Sequence, residues 1–380
     1  MHADDPYSPD VAKMSAYCTY CPKLCRFSCP TAAAESRETV TPWAMMRLLE
    51  LTADRSVALT PEVAEAFHHC TGCRRCQTFC RHTNDVPRAL WQARERAAAA
   101  DLIPAAYRPL REAFETQGRP RAAAITWRPA PGVFDADSPV GFWPDCDTLA
   151  HHPELIDRVG RLLERVLGQK VRLVAAGPDA LPVCCGFPLG ATGDRPGLDR
   201  HLARRWPDLE GLDTLYTDCP ALSAWAEPTS SWPELAHDEP ERLRPHHVIE
   251  LLARRLPELP PEEPLDLSQL MVHPSCMMTR QARLHADVLR VLRAAGHGEP
   301  VAMIFDQEEA ECCGGQATYR ALEAEAAERQ AARVAERLHT HPEATRLVST
   351  AATCQCAMSQ ARPELDICTL LDLVCQAYRL

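Results

Sequence analysis

Two stretches of this sequence set adjacent cysteines before glycine: Cys184-Cys185-Gly186 and Cys312-Cys313-Gly314-Gly315. Each pair has a lone cysteine upstream (Cys146, Cys276) and another downstream (Cys219, Cys354). Corresponding positions lie 130 residues apart for Cys146 and Cys276, 128 for Cys184 and Cys312, and 135 for Cys219 and Cys354. That is an internal repeat defined by soft ligands, and soft thiolates suit iron–sulfur clusters or zinc. The glycines have a backbone role, because a tight loop that presents two neighbouring thiols needs a permissive residue beside them. A vicinal disulfide or a pair of inert buried thiols would explain one such stretch, but not flanking cysteines that recur at matched offsets.

Two more cysteine runs stand near the N-terminus. The first reads Cys18-x-x-Cys21-x-x-x-Cys25-x-x-x-Cys29-Pro30, and the second Cys70-x-x-Cys73-x-x-Cys76-x-x-x-Cys80-Arg81. The second spacing wraps three thiolates around one cubane and sends the fourth to a neighbouring cubane. By that crossing rule Cys18, Cys21, Cys25 and Cys80 hold one [4Fe-4S] cluster, and Cys70, Cys73, Cys76 and Cys29 hold the other. The competing reading is a pair of zinc knuckles, which would use two separated Cys-x-x-Cys pairs rather than four cysteines in 11 or 12 residues. The first run has one residue too many between Cys21 and Cys25, which bears on its loop rather than on its ligand role.

Bulk properties narrow the class. A chain of 380 residues has ample core without disulfide staples, and its polar N-terminal stretch shows no secretory h-region. In a reducing, cytoplasmic compartment, 19 cysteines read as metal ligands. A net charge of −11 excludes a nucleic-acid binder, and no apolar run reaches the ~20 residues of a membrane helix. Any membrane association would be peripheral, through a partner.

The elements that must position these cysteines follow from caps and periodicity. Thr41-Pro42 and Thr60-Pro61 each read as an N-cap with proline at the first helical position. The helices they start separate the two N-terminal runs, and another is expected from Pro87 to Leu102. His68 and His69 read as ordinary helix-end residues. From Val140 onward, short apolar runs alternate with amphipathic helices. Strands are expected at "VGFW", "VRLVAA", "TLYT", "QLMV", "VAMIF" and "RLVST". Helices are expected over 153–167, 198–205, 280–296 and 319–338. This alternation implies a small parallel sheet in each half, with the cysteines in loops at strand ends. His273, three residues before Cys276, is either a hydrogen-bond donor to a cluster sulfur or a strand-end residue. Gly186 to Gly193 is no nucleotide loop, since no strand leads directly into it and no helix is expected to start there. Cys368 and Cys375 read as core residues of one amphipathic helix.

The pattern of a cysteine, then Cys-Cys-Gly, then a further cysteine, in tandem behind a ferredoxin module, resembles the CCG-domain iron–sulfur proteins. These include heterodisulfide reductase B and D subunits and the iron–sulfur subunits of glycolate oxidase, lactate utilisation and anaerobic glycerol-3-phosphate dehydrogenase. The resemblance implies an N-terminal alpha-helical ferredoxin-like domain (1–117) holding two [4Fe-4S] clusters. A linker (118–139), a first α/β CCG domain (140–256), a second linker (257–266) and a second CCG domain (267–380) follow, an α+β and α/β chain overall. It also implies one or two further clusters, cubane or noncubane. The ligands would be Cys146, Cys184, Cys185 and Cys219 at one site, and Cys276, Cys312, Cys313, Cys354 and Cys356 at the other.

Two departures stand out. Leu222 occupies the position of a further ligand after Cys219, and the second half has Cys354-Gln355-Cys356 in place of Cys-x-x-Cys. We therefore read the first site as a closed relay and the second as the chemical site, with Cys312 and Cys313 the catalytic pair. The expected function is an electron-transfer subunit of a larger oxidoreductase, partnered by a flavoprotein dehydrogenase or a membrane/quinone-linked subunit. The alternatives are a self-contained heterodisulfide-type reductase and a zinc-bound interaction scaffold.

Overall fold

The computed structural model describes residues 7–121, 125–175, 180–225 and 243–380. Parts of the expected 118–139 linker (122–124), the last residue of "VRLVAA", and positions 226–242 of the first half lie outside these residues.

The N-terminal region is helical, and its sequence caps form. Helix Pro42–Ala53 starts with the Thr41 hydroxyl accepting from the Ala44 amide at 3.3 Å, and helix Pro61–Ala66 with Thr60 accepting from Val63 at 3.4 Å. Proline at each first position loses no hydrogen bond, because that amide has no partner within the helix. The next helix runs Val86–Ala99 rather than 87–102, capped by the Asp85 carboxylate. Helices Arg108–Gln117 and Pro153–Leu167 end where Gly118 (φ +67°) and Gly168 (φ +74°) enter the left-handed region, a conformation glycine adopts without steric cost.

Among the described residues ten strands follow: β1 (Val140–Trp143), β2 (Arg172–Leu173), β3 (Thr214–Thr217), β4 (Pro245–His247), β5 (Leu265–Asp266), β6 (Leu270–His273), β7 (Gly296–His297), β8 (Val301–Ala302), β9 (Arg346–Ser349) and β10 (Ile367–Thr369). They build two four-stranded sheets, ordered β2-β1-β3-β4 and β8-β6-β9-β10, plus the short pair β5-β7. Every pairing is parallel. The two large sheets have the same topology, so the cysteine repeat is also a fold repeat. In register, Val140–Trp143 lie beside Thr214–Thr217, and Leu270–His273 beside Arg346–Ser349. The central strands of both sheets thus stop just ahead of Cys146, Cys219, Cys276 and Cys354.

One apolar cluster runs through both halves. It joins Phe142, Ile156 and Leu162 to Leu252, Leu256, Val291, Leu292, Leu370 and Val374. Each such side chain contributes roughly 1.5–3 kcal/mol on full burial.

Several elements depart from the sequence expectation, among them a short helix, Phe187–Gly190, that starts directly after Gly186 with Pro188 in its first turn. "VRLVAA" and "VAMIF" shrink to two-residue strands, because both sit at sheet edges. The helix expected over 280–296 begins only at His285. Before it, residues Met277–Gln281 form a wider π turn, and Arg283 (φ +58°) breaks the path. The helix expected over 319–338 divides at Glu323 into Ala317–Leu322 and Ala324–Ala335. Cys368 is on strand β10 and only Cys375 is on the last helix, Leu370–Ala377. Their seven-residue spacing therefore does not reflect one helical face, although Cys375 is fully buried in the core and Cys368 packs against it.

Candidate metal centres

The N-terminal runs fold into two thiol groups. Cys18 and Cys25 each feel the charges of Cys21 and Cys80, and all four line one pocket with Trp43, Phe79 and His82. Cys29 instead faces Cys70 and Cys73, and Cys76 faces Cys73, Cys70 and Cys29. Cys76 also reaches the first pocket, so it stands between the groups. Donors aim at the sulfurs. Asn84 Nδ2 donates to Cys18 Sγ at 3.3 Å, the Ala32 amide to Cys29 Sγ at 3.5 Å and the Gly72 amide to Cys70 Sγ at 3.4 Å.

The two repeated sets, read separately in the sequence, face a single cavity. Cys146, Cys184, Cys185 and Cys219 line it together with Cys276, Cys312, Cys313 and Cys354. Its volume is about 100 Å³, several times the ~10–15 Å³ that one water requires. Within each set the thiols are neighbours in sequence order, from 146 to 184, 185 and 219, and from 276 to 312, 313 and 354. The glycines behave as the loop demanded. Gly186 and Gly314 hold φ of +93° and +74°, and a Cβ on Gly186 would sit 2.7 Å from Leu198. The Gly314 and Gly315 amides donate to Cys312 Sγ and Cys313 Sγ at 3.4 and 3.3 Å.

The second set also touches the N-terminal region. Cys73 packs against Cys312 and Cys276 in one buried cluster, and Thr71 Oγ1 lies 3.5 Å from Cys312 Sγ. Arg280 clamps the junction by donating to the carbonyls of Cys73 (2.5 Å), Glu308 (2.9 Å) and Ala310 (2.8 Å). Gln281 adds a bond to the Gly72 carbonyl at 3.0 Å.

The halves differ in the polar residues behind their thiols. In the first, the Asp145 amide donates to Asp218 Oδ1 at 2.6 Å, and the Asp145 carboxyl neighbours Cys219. In the second, Ser275 and Thr350 occupy these places, with the Ser275 amide donating to Thr350 Oγ1 at 2.8 Å and the Ser275 side chain neighbouring Cys354. Burial, with Asp147 and Asp218 beside it, holds Asp145 well above the usual carboxylate range, and burial pushes Asp218 up to about 6. Sequence reasoning passed over these residues, although Asp145, Asp218 and Ser275 each directly precede a repeated cysteine.

Some candidate residues stand apart. Cys356 does not line the cavity; its Sγ lies 3.9 Å from His152 Nε2, on the opposite face of helix Ala352–Ala361 from Cys354. Leu222 is buried in apolar packing beside the first set. His273 Nε2 meets the Glu311 carbonyl at 3.2 Å rather than a sulfur. His68 packs edge-on against Tyr107, and His69 Nδ1 pairs with Glu35 at 2.9 Å.

The donor sets fit iron–sulfur clusters. Burial pushes Cys18 and Cys70 up to about 11 and Cys25 to about 12. These crowded N-terminal thiols thus resist ionising with no cation beside them, whereas a coordinated metal ionises them outright. Amides aimed at the sulfurs are the contacts by which a protein tunes a cluster.

Comparison with known proteins agrees with this chemistry. Residues 14–84 match the 4Fe-4S dicluster domain, and residues 270–359 match the cysteine-rich CCG domain. The chain is 26% identical over 303 residues to the B subunit of fumarate reductase (CoM/CoB) from Methanothermobacter marburgensis. The match takes in 76% of this chain but 57% of the relative, so the chain spans little more than half of that protein's length. The dicluster match decides for iron–sulfur over zinc in the N-terminal region. Among the described residues, no helix is long and apolar enough to cross a membrane.

Proposed function

We propose that this iron–sulfur protein, with its dicluster and cysteine-rich domains, is the electron-transfer subunit of a larger oxidoreductase. Two [4Fe-4S] clusters would be held by Cys18, Cys21, Cys25 and Cys80 and by Cys29, Cys70, Cys73 and Cys76. One or two further clusters would be held by the eight cavity thiols, and together the clusters supply one-electron redox steps. The observation that carries the reading is the contact between Cys73 and Cys312, which makes the four thiol groups one unbroken series from the surface to the cavity. Asn84 and the amides of Ala32, Gly72, Gly314 and Gly315 fix the thiolate positions and stabilise their charge. Arg280 and Gln281 hold the junction in register.

The relative's name describes one component of a reductase, and this supports a partner for the present chain, either a flavoprotein dehydrogenase or a membrane/quinone-linked subunit. A second reading rests on the shared cavity. With Cys312 and Cys313 on one wall and Cys184 and Cys185 on the other, a disulfide could be reduced there. Two electrons from the chain and two protons would convert its S–S bond into two thiols. An anaerobic assay of the isolated chain with reduced viologen and an aliphatic disulfide separates the two readings. Uptake of viologen electrons without disulfide turnover supports the subunit reading, and sustained turnover supports the reductase.

A further inference from the structure

Among the described residues, five large apolar side chains are exposed, and four of them lie within the eleven residues around the first cysteine run. They are Tyr17 (45%), Tyr20 (91%), Leu24 (49%) and Phe27 (84%). Tyr17 and Tyr20 are three apart at the end of helix Pro9–Thr19, and Leu24 and Phe27 three apart on the 3-10 turn Leu24–Ser28; stacking and pocket contacts bring Tyr17 and Leu24 to one rim. His82 stacks on Tyr17 at 5.0 Å, and Leu24, Arg81 and His82 rim the pocket of Cys18, Cys21, Cys25 and Cys80. Solitary exposed apolar residues need no explanation, but a cluster beside a buried polar site marks an interaction surface.

The charge around this patch opposes that of the chain. The protein carries −11 overall, yet between Asp10 and Glu35 the charged residues are Lys13, Lys23 and Arg26, and between Glu65 and Asp85 they are Arg74, Arg75 and Arg81. Arg74 and Arg75 turn inward to Asp85 and Glu311, whereas Arg81 and His82 stay exposed. Lys13 lies 5.8 Å from the Tyr17 ring, Lys23 sits over Trp43 at 3.6 Å, and Arg26 lies 5.8 Å from Phe27. Arg26 is paired with Glu38. The patch is therefore an apolar centre with a cationic edge.

Position supplies the last step. Three of the four cysteines in this group (Cys21, Cys25 and Cys80) are half-buried, against two of four (Cys29 and Cys70) in the next, whose buried Cys73 packs on Cys312. Electron tunnelling weakens exponentially with distance, so a carrier must approach at the outermost thiol group. On the electron-transfer reading above, we infer that the Tyr17–Tyr20–Leu24–Phe27 surface docks an acidic electron-carrier protein whose redox group lies at the edge of its own apolar face. One electron leaves the carrier, oxidising it, and reduces the chain; no bond is made or broken. A contact of this size belongs with the small interfaces of transient redox complexes, steered by charge.

The test uses the holoprotein under anaerobic conditions, with a reduced acidic [2Fe–2S] ferredoxin as probe and stopped-flow absorbance as readout. The second-order rate is expected to fall about tenfold between low and physiological ionic strength. Lys13→Glu with Lys23→Glu lowers the low-salt rate about tenfold and flattens the salt dependence. Tyr20→Ser with Phe27→Ser lowers it at every salt concentration. Iron content and the extent of dithionite reduction stay at the parent level in both variants, which shows that they fold and load. Rates that ignore both salt and substitutions overturn the docking surface while leaving the electron-transfer reading intact. So does a Tyr20→Ser/Phe27→Ser variant that changes only self-association, since a second copy would then be the occupant. A parent protein that dithionite cannot reduce overturns the electron-transfer reading and the docking surface with it.

Discussion

Cys73, from the second N-terminal run, and Cys312, from the paired cysteines of the second half, pack in one buried cluster with Cys276 although far apart in sequence. That contact joins the helical dicluster region to the cavity, and Arg280 holds it by bonding three carbonyls on both sides.

Arg280→Ala should therefore loosen the junction specifically. Three hydrogen bonds to carbonyl groups are lost, for a net cost of about 2–3 kcal/mol. The expected results are a lower urea midpoint and slower electron flow from the N-terminal clusters to the cavity, with N-terminal iron retained. Rapid-freeze EPR after mixing with dithionite separates the two stages.

Gly186→Val should cost more than a typical surface change. Its φ of +93° and the 2.7 Å approach to Leu198 leave no room for a branched side chain, and such strain costs on the order of 1–3 kcal/mol. Because this loop presents Cys184 and Cys185, iron content should fall together with the melting temperature. Gly168→Val, at a helix end where a Cβ would meet nothing within 4 Å, should retain its iron.

Acid should destabilise the fold through two buried histidines. Burial lowers His247 and His273 to about 4, below the ~6.5 of an unfolded chain. The unfolded state then binds more protons between those values, so stability is full above pH ~6.5 and falls as pH drops towards 4. Each histidine accounts for on the order of 2 kcal/mol by pH 5. His247 Nδ1 accepts from the Ile249 amide at 3.3 Å, a bond that protonation removes. His247→Asn, which keeps a capping acceptor without the titration, should flatten part of the pH dependence of the urea midpoint.

Much of this was legible in the sequence because local chemistry dictated it. Thr41, Thr60 and the prolines after them announce helix starts wherever they occur. The glycine after each cysteine pair announces a left-handed turn, and the spacing of the N-terminal runs announces their interleaving. What stayed hidden is tertiary. Nothing in the offset between Cys184 and Cys312 says that the two halves turn their strand ends towards one cavity. Cys356 looked equivalent to Cys354, but helix Ala352–Ala361 separates their directions, since residues two apart do not share a helical face. Glu323 interrupts a strongly periodic helix at the point where it and Tyr319 meet the N-terminal residues Arg37 and Glu35.

The shared cavity has a spectroscopic consequence. Clusters on its two walls would be close enough for their spins to interact, so the reduced parent protein should give split EPR signals. Cys184→Ala and Cys312→Ala should each collapse the splitting and alter the signal that survives. Signals that respond to only one variant each would mean the walls act independently.

The most direct test is an anaerobic count of iron and acid-labile sulfide per chain. If all four thiol groups serve as described, the purified protein contains about twelve to sixteen iron atoms with matching sulfide. A count of about eight would mean that the N-terminal groups alone are loaded and that no series reaches the cavity. A colourless, iron-free protein would contradict the account altogether.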